Sequence, residues 1–301
     1  MNKKIIGAGI GLGLMMILIF IAITAKKEYV AKDSSALKSV TELISKDKLD
    51  EAKDKLDEMK DKKFDSILLG KMYFKLGNSY EEHQNFVKAR DMYGIILNEY
   101  QNVDNILDVQ ERLGNLNIKI LFSQIITDSD IKYKIEPGDT LSKIAKQFGT
   151  TIDLIKISND LTSDTIRAHS KLKISKNKYK ILVDKSQNLL TILTDDDIVF
   201  KAYRVATGKN NSTPVGIFPI INKIKDPVWY TQGAIVPAES PDNILGSRWL
   251  GFSNPGYGIH GTTLPDSVGS QATKGCIRMF NAEVEELYTI IPVGIEVSIV
   301  D

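Results

Sequence analysis

The hydrophobic and polar positions of this 301-residue chain form four successive patterns, and the first is one long apolar run. The 21 residues from Ile5 to Ala25 carry no charge, and lysines flank the run on both sides. A helix of that length spans a bilayer, whereas the core of a cleaved signal peptide is usually shorter. We therefore predict a transmembrane anchor in residues 1–30, with a cleaved signal peptide as the alternative.

Residues 31–127 have helical periodicity and repeat themselves. The stretch from Ser34 to Ser123 contains no proline, and Leu76-Gly77 recurs 37 residues later as Leu113-Gly114. The key positions of the clearest copy are Tyr73, Leu76, Gly77, Tyr80, Ala89 and Tyr93. They resemble the tetratricopeptide pattern of paired antiparallel helices, in which small residues such as Gly77 let the helices approach closely. The alternative is a plain helical spacer, because the tetratricopeptide repeat is about 34 residues long.

Residues 131–175 change to a short α+β pattern. An alternating segment, a Pro-Gly-Asp turn, two short helical segments and a second alternating segment follow one another, and Asp139 or Thr140 can cap the first helix. The run from Tyr133 to Ala145 resembles the LysM module, which implies binding of glycans that contain N-acetylglucosamine. The turn Ala168-His169-Ser170-Lys171 stands in place of the module's usual glycine turn, so the resemblance leaves open whether glycan binding is retained.

Residues 178–301 show mainly strand patterns. Apolar segments at 181–183 and 189–193 bracket a polar turn and predict a hairpin, and further strands follow up to residue 300. The only strong helical signal begins at Asn281, which we predict as its N-cap. Its inward-facing residues are Val284, Leu287 and Tyr288. The aromatic residues that either line a substrate groove or pack in the core are Trp229, Tyr230 and Trp249.

Composition narrows the classes of function. The chain has 39 Lys and Arg residues against 38 Asp and Glu, so there is no basic excess to form a nucleic-acid surface. Three scattered histidines and one cysteine do not have the spacing of a metal site, and we expect no metal and no cofactor. Since Cys276 is the only cysteine, it cannot form a disulfide within the chain. It is either a buried small residue or a reactive thiol.

Two glycine-flanked segments carry the candidate chemistry. One holds Tyr257 and His260, and the other runs from Thr273 to Met279 and holds Cys276, 16 residues after His260. A nucleophilic cysteine needs a base to form the thiolate and backbone amides to hold the developing oxyanion. His260 is the only histidine of this region, and Gly275 leaves room for backbone amides to approach a substrate carbonyl.

These two segments resemble the signature of the L,D-transpeptidase (YkuD-like) catalytic domain, and the turn from Thr213 to Phe218 resembles another of its segments. The resemblance implies a β-sandwich-like fold with Cys276 as the acylated nucleophile and His260 as its general base. It also implies that the carbonyl of Gly261 orients His260. The amides that it assigns to the oxyanion hole are those of Lys274, Gly275 and Cys276. The side chains expected to contact substrate are Arg278, Thr273 and Tyr257; for Arg278 a purely structural salt bridge is the alternative.

The expected fold class is multidomain: an N-terminal transmembrane helix, an α-helical repeat region, a small α+β LysM-like module and a mainly-β L,D-transpeptidase catalytic domain. The expected reaction is peptidoglycan L,D-transpeptidation. A Cys276 thioester forms as the terminal D-Ala of a tetrapeptide stem leaves, and the acyl group passes to an amine of a neighbouring stem. The alternatives are an L,D-carboxypeptidase, which uses water as the acceptor, and a non-catalytic peptidoglycan-binding scaffold.

The expected partners are peptidoglycan stem peptides and glycan strands. The N-terminal helix predicts contact with the cell membrane, and the helical repeats predict a protein partner. Because the substrate lies outside the cytoplasm, we expect the catalytic domain on that side of the membrane, in the cell wall or periplasm. Nucleic acid is not an expected partner.

Overall fold

The computed structural model of the chain describes residues 35–60, 64–231 and 233–301. Two compact units divide the chain: one ends at Val109, and the other comprises Gln110–Asp301. Both glycine-flanked segments lie in the second unit.

The predicted fold class included a transmembrane helix, and that part is corrected. None of the helices within the described ranges is long and apolar enough to cross a membrane. The longest of them, Ser66–Glu82, has 17 residues and includes charged side chains, whereas a spanning helix needs about 20 apolar residues. The segment predicted as the anchor, residues 1–30, lies outside the described ranges.

The first unit is helical. Its elements are α1 (35–45), α2 (Leu49–Lys60), α3 (Ser66–Glu82), α4 (Phe86–Glu99) and the start of α5 (Ile106–Leu121). As predicted, Gly77 permits close packing: a Cβ at Gly77 would lie 2.6 Å from Cε1 of the Tyr93 ring. Tyr73 stacks on Tyr100 with ring centroids 5.6 Å apart. The helices are therefore present, while the tetratricopeptide assignment stays a prediction.

The predicted order of strand, helix, helix and strand is confirmed in the LysM-like region. The elements are β1 (Asp130–Lys134), α6 (Leu141–Phe148), α7 (Ile152–Ile157) and β2 (Lys171–Ser175). β1 and β2 are antiparallel, with Tyr133 opposite Leu172. Thr140 caps α6 by accepting a hydrogen bond from the amide of Lys143, whereas Asp139 accepts one from the Tyr133 hydroxyl.

The remainder of the second unit is mainly β, as predicted. Its elements are β3 (Tyr179–Asp184), β4 (Leu189–Thr194), β5 (Val199–Arg204), β6 (Thr207–Gly208), β7 (Gly216–Lys225), β8 (Trp229–Thr231), β9 (Ala234–Val236), β10 (Arg248–Phe252), β11 (Gly258–His260), β12 (Gln271–Thr273), β13 (Ile277–Arg278), α8 (Asn281–Ile290) and β14 (Glu296–Val300). Eight strands form one sheet in the order β13-β11-β10-β7-β14-β3-β4-β5. The predicted hairpin is β3–β4. The first half of β7 pairs with β14 and its second half with β10, so β7 joins the two parts of the sheet.

One hydrophobic core holds the strands of this module together with α8 and the ends of two other helices. Val284 and Leu287 of α8 are fully buried in it, as predicted. Ile118 and Leu121 of α5 and Leu154 of α7 are buried in the same core. The end of α5 and the LysM-like module therefore pack directly on the catalytic strands.

Candidate active site

Two neighbouring strands bring His260 and Cys276 together. β11 and β13 are parallel, with His260 opposite Arg278, and Cys276 directly precedes β13. Because side chains alternate along a strand, Cys276, Arg278 and His260 lie on the same face. Strand spacings of about 3.3 Å per residue and about 4.8 Å between strands place the Cα atoms of His260 and Cys276 roughly 8 Å apart. A Cα separation of that size allows the thiol and the imidazole to approach each other.

His260 is held as a neutral imidazole with a defined tautomer. It is only 2% exposed, it stacks on Trp249 with ring centroids 6.1 Å apart, and its Nδ1 donates to the carbonyl of Gly261 at 2.6 Å. Burial lowers the pKa of His260 from 6.5 to about 4; the bond to Gly261 opposes that shift, and the charge of Arg278 adds to it. A carbonyl can only accept, so the proton lies on Nδ1 and the lone pair on Nε2; a second backbone carbonyl, that of Leu245, also favours the protonated ring.

Cys276 is a protonated thiol in the resting site. Burial raises the pKa of the thiol, while a hydrogen bond from the Gly258 amide and the charge of Arg278 oppose the rise. The thiol donates to the carbonyl of Gly256 at 3.5 Å. Since the imidazole is neutral as well, neither side chain of the pair is charged at rest.

A tight turn presents the nucleophile. The Thr273 hydroxyl donates to the carbonyl of Cys276 at 2.7 Å and accepts from the amide of Gly275 at 3.0 Å. Gly275 has φ +129, and a Cβ there would lie 2.6 Å from Cε1 of Tyr257. Only glycine therefore fits this position, for reasons of both backbone conformation and space.

The turn affects the predicted oxyanion hole and two predicted substrate contacts. The amide of Gly275 is bonded to the Thr273 hydroxyl, whereas the amides of Lys274 and Cys276 donate to no side chain and to no loop carbonyl in the described part of the chain. The oxyanion hole of the Lys274, Gly275 and Cys276 amides stays a prediction. Thr273 is 5% exposed, and Tyr257 packs against the core beside Gly275, so both shape the site from within.

Arg278 brings an unpaired positive charge into the site. Its side chain is 5% exposed, Nη1 donates to the hydroxyl of Ser267 at 2.9 Å, and Nε has no hydrogen-bond partner. No carboxylate pairs with it among residues 35–60, 64–231 and 233–301, so the alternative of a structural salt bridge finds no support there. Burial lowers the pKa of Arg278, and the proximity of Cys276 opposes that effect.

The three aromatic residues separate into different environments. Trp249 forms the wall behind His260, as the stacking contact shows, while Tyr230 is 74% exposed on the β8–β9 hairpin. Trp229, on the same hairpin, is half-buried. Across the described ranges, no group of three or more His, Cys, Asp or Glu side chains is placed to hold a metal ion.

Asn281 is a site residue that the sequence did not reveal. It does not cap α8, whose N-cap is Phe280; its Oδ1 accepts instead from the amides of Thr262 at 2.9 Å and Ser247 at 3.2 Å. A Cβ at Gly261 or at Gly246 would lie 2.2 Å from Oδ1, so both glycines leave space for this side chain. Asn281 thereby holds the peptide whose carbonyl, that of Gly261, binds His260. Its position at a helix start was the only signal in the sequence, and that signal indicates a cap.

Comparisons with known proteins agree with this geometry. Residues 178–299 match the YkuD family, the L,D-transpeptidase catalytic domain, and residues 133–175 match the LysM domain. YqjB of Bacillus subtilis, named as a candidate L,D-transpeptidase, is 42% identical over 127 residues, which cover 40% of this chain and 70% of that protein. YkuD of Bacillus licheniformis, named in the same way, is 34% identical over 177 residues, which cover 56% of this chain and 98% of that protein.

A solved L,D-transpeptidase structure from Mycobacterium tuberculosis is also similar, at 15% identity. The likeness covers 44% of this chain and 63% of that one, and its TM-score of 0.36 is too low to carry an argument. The two family matches and the two Bacillus relatives show the family directly. The chain therefore belongs to the YkuD family of L,D-transpeptidases and carries a LysM domain ahead of its catalytic domain.

Proposed function

We propose that this L,D-transpeptidase forms a Cys276 thioester with peptidoglycan stem peptides and transfers the acyl group to an amine. The observation that carries the proposal is the state of the Cys276–His260 pair. The imidazole is neutral, its proton is fixed on Nδ1 by Gly261, and Nε2 is free to take the thiol proton. A half-buried thiol that is protonated at rest becomes a nucleophile only when that base accepts its proton.

In the first step, Sγ of Cys276 attacks the carbonyl carbon of the third stem residue while its proton passes to Nε2 of His260. The amides of Lys274 and Cys276 stabilise the oxyanion, because no side chain and no loop carbonyl among the described residues accepts from them. The C–N bond to the terminal D-Ala then breaks, and the departing amine takes the proton from Nε2. A thioester and free D-Ala result.

In the second step, an amine of a neighbouring stem attacks the thioester carbonyl and gives one proton to Nε2. The C–S bond breaks, and Sγ of Cys276 takes that proton back. The new amide is the cross-link, and both side chains return to their neutral resting forms. Every proton is accounted for by His260 alone.

Arg278 is the group best suited to hold a stem carboxylate near the reacting atoms. It is a buried guanidinium with an unpartnered Nε and no ion pair in the described part of the chain. A buried charge without a partner is costly, so a carboxylate that reaches it gains a strong, charge-assisted hydrogen bond. The same positive charge stabilises the thiolate as it forms.

The LysM and catalytic domains both act on peptidoglycan, which puts the protein's work in the cell wall or periplasm. The packing of Leu154 of α7 in the catalytic core keeps the LysM module fixed on the catalytic domain. Binding to polymeric wall would raise the local concentration of acceptor stems, which favours transfer over hydrolysis.

The test gives the full chain a tetrapeptide donor with an excess of a stem amine and separates the products. We expect more dimer than tripeptide, and no product from Cys276→Ser, because a hydroxyl is far harder to ionise than a thiol. Tripeptide as the main product at saturating amine would instead establish an L,D-carboxypeptidase. Folded protein that yields neither product and no carbapenem adduct at Cys276 would establish the scaffold.

A further inference from the structure

A cavity outside the candidate active site lies on the LysM module. Its volume is about 620 Å³, and none of its lining residues belongs to the catalytic domain. The walls come from β1, β2, the segment between α7 and β2, and the chain that follows α5. No aspartate or glutamate is among the residues that line it. The cavity therefore has a positive character, although the whole chain is almost neutral.

Four cations line the cavity, and one of them, Lys173, is buried 3.9 Å from Asp130. The exposed charge of the cavity comes from the other three, Lys132, Arg167 and Lys171. All three are exposed, and none forms an ion pair within the described ranges. In the β1–β2 register Lys132 is opposite Lys173 and Lys134 is opposite Lys171. Lys132 and Lys171 are thus diagonal neighbours on one face of the sheet, with their Cα atoms roughly 7–8 Å apart. Two unpaired lysines on one face of a sheet favour an anion that both ammonium groups can reach.

The cavity is preformed, because its walls are fixed by contacts that need no ligand. Lys173 is buried, and its Nζ donates to the carbonyls of Ile120 and Ser123, both at 2.8 Å, at the end of α5. Asn159 holds the backbone of Lys173 from the other side: it accepts from the amide at 2.7 Å and donates to the carbonyl at 2.9 Å. Gln124, on the rim, donates to Asp160 at 2.6 Å. A ligand would therefore meet an ordered site and lose little affinity to ordering it.

The part of the LysM sequence that departs from the family pattern builds one wall. The turn Ala168-His169-Ser170-Lys171 contributes Ser170 and Lys171 to the lining. It is held by the amide of His169, which has φ +70 and donates to the carbonyl of Ile135 at 2.8 Å. The half-buried side chains of Leu161 and Ile166 add an apolar surface beside the three cations. This combination suits an anionic polymer with C–H faces.

We propose that this cavity binds anionic groups of the cell-wall polymer, either phosphodiesters or stem-peptide carboxylates, so that the LysM module recognises charge as well as glycan. The inference rests on the proposed function, because the cavity would bind the same cell wall whose stem peptides the active site acts on. Its test uses sedimentation of the full chain with insoluble wall, both intact and after acid removal of phosphodiester-linked polymers.

The test variant replaces the three cavity cations by glutamine (Lys132→Gln, Arg167→Gln, Lys171→Gln). The control removes the same charge from exposed lysines that do not line the cavity; these are Lys75→Gln, Lys146→Gln and Lys176→Gln. Three exposed charge contacts predict about a ten-fold loss of affinity for intact wall at low salt in the cavity variant, and less than about two-fold in the control.

The two wall preparations distinguish the sources of the anion. If the defect disappears on acid-stripped wall, the ligand is the phosphodiester polymer; if it persists, the ligand is the stem carboxylate. Wild-type affinity of the cavity variant on both walls, or an equal loss in the control, would overturn the proposal. Carbapenem acylation of Cys276 is measured in the same samples. It should be unchanged in both variants, so a failed active-site assignment is recognised separately.

Discussion

The neutral state of His260 should be visible as a pH dependence of stability. Its pKa in the folded protein is about 4, against 6.5 for the free side chain. Between these values the unfolded chain binds a proton that the folded chain does not, so stability falls as the pH is lowered through 6.5 towards 4. From pH 7 to pH 5, this one group should cost about 2 kcal/mol of unfolding free energy. The effect saturates below pH 4, where both states are protonated.

The measurement compares the wild type with His260→Asn in urea at pH 7 and pH 5. Asparagine retains a nitrogen that can donate to Gly261 but has no proton to gain in this range. The chain's two tryptophans, Trp229 and Trp249, both lie in the catalytic domain, so their fluorescence reports the unfolding of that domain. We expect the wild type to lose about 2 kcal/mol more than His260→Asn on acidification.

The control is His169→Asn, which removes an exposed histidine from a turn in the LysM module and should respond to pH like the wild type. Taking the difference between variants cancels the carboxylates that titrate in all of them. An equal loss in the wild type and His260→Asn would show that burial does not keep this imidazole uncharged. The proposed proton path from the thiol to Nε2 would then lose its basis.

Two further predictions concern the parts that position the pair. Gly275→Ala should destabilise the domain by about 2–4 kcal/mol and abolish acylation, since it combines positive-φ strain with a clash against Tyr257. The control is Gly294→Ala, because Gly294 has φ +96 but open space around it. In the same urea and mass-spectrometry assays, this control should lose less stability and retain acylation. Asn281→Ala should slow carbapenem acylation about ten-fold and shift the NMR titration of His260, because two amides lose their acceptor. Asn281→Asp should restore most of the rate, and an unshifted titration in Asn281→Ala would contradict the positioning role.

Local patterns in the sequence were sufficient to predict the enzyme family and most of the elements. The alternation that predicts the β3–β4 hairpin, and the order of strands and helices in the LysM module, depend on residues close together in the chain. The glycine-flanked Cys276 and His260 also form short signatures, and the comparisons agree with the family that they indicate. The nearly neutral charge balance argued against nucleic acid as a partner. The membrane helix in the predicted fold class is the exception, because no helix in the described ranges could span a bilayer.

Only the tertiary structure shows how the site is held. The sequence predicts Asn281 as a helix cap. In the structure its oxygen accepts instead from the amides of Ser247 and Thr262, which lie 34 and 19 positions earlier. The amide of Gly275, which the family resemblance assigns to the oxyanion hole, donates to the Thr273 hydroxyl. The pKa of His260 depends on burial behind Trp249 and on the charge of Arg278, neither of which periodicity can reveal. Such properties follow from distances and desolvation between segments far apart in the sequence, and these exist only once the sheet has formed.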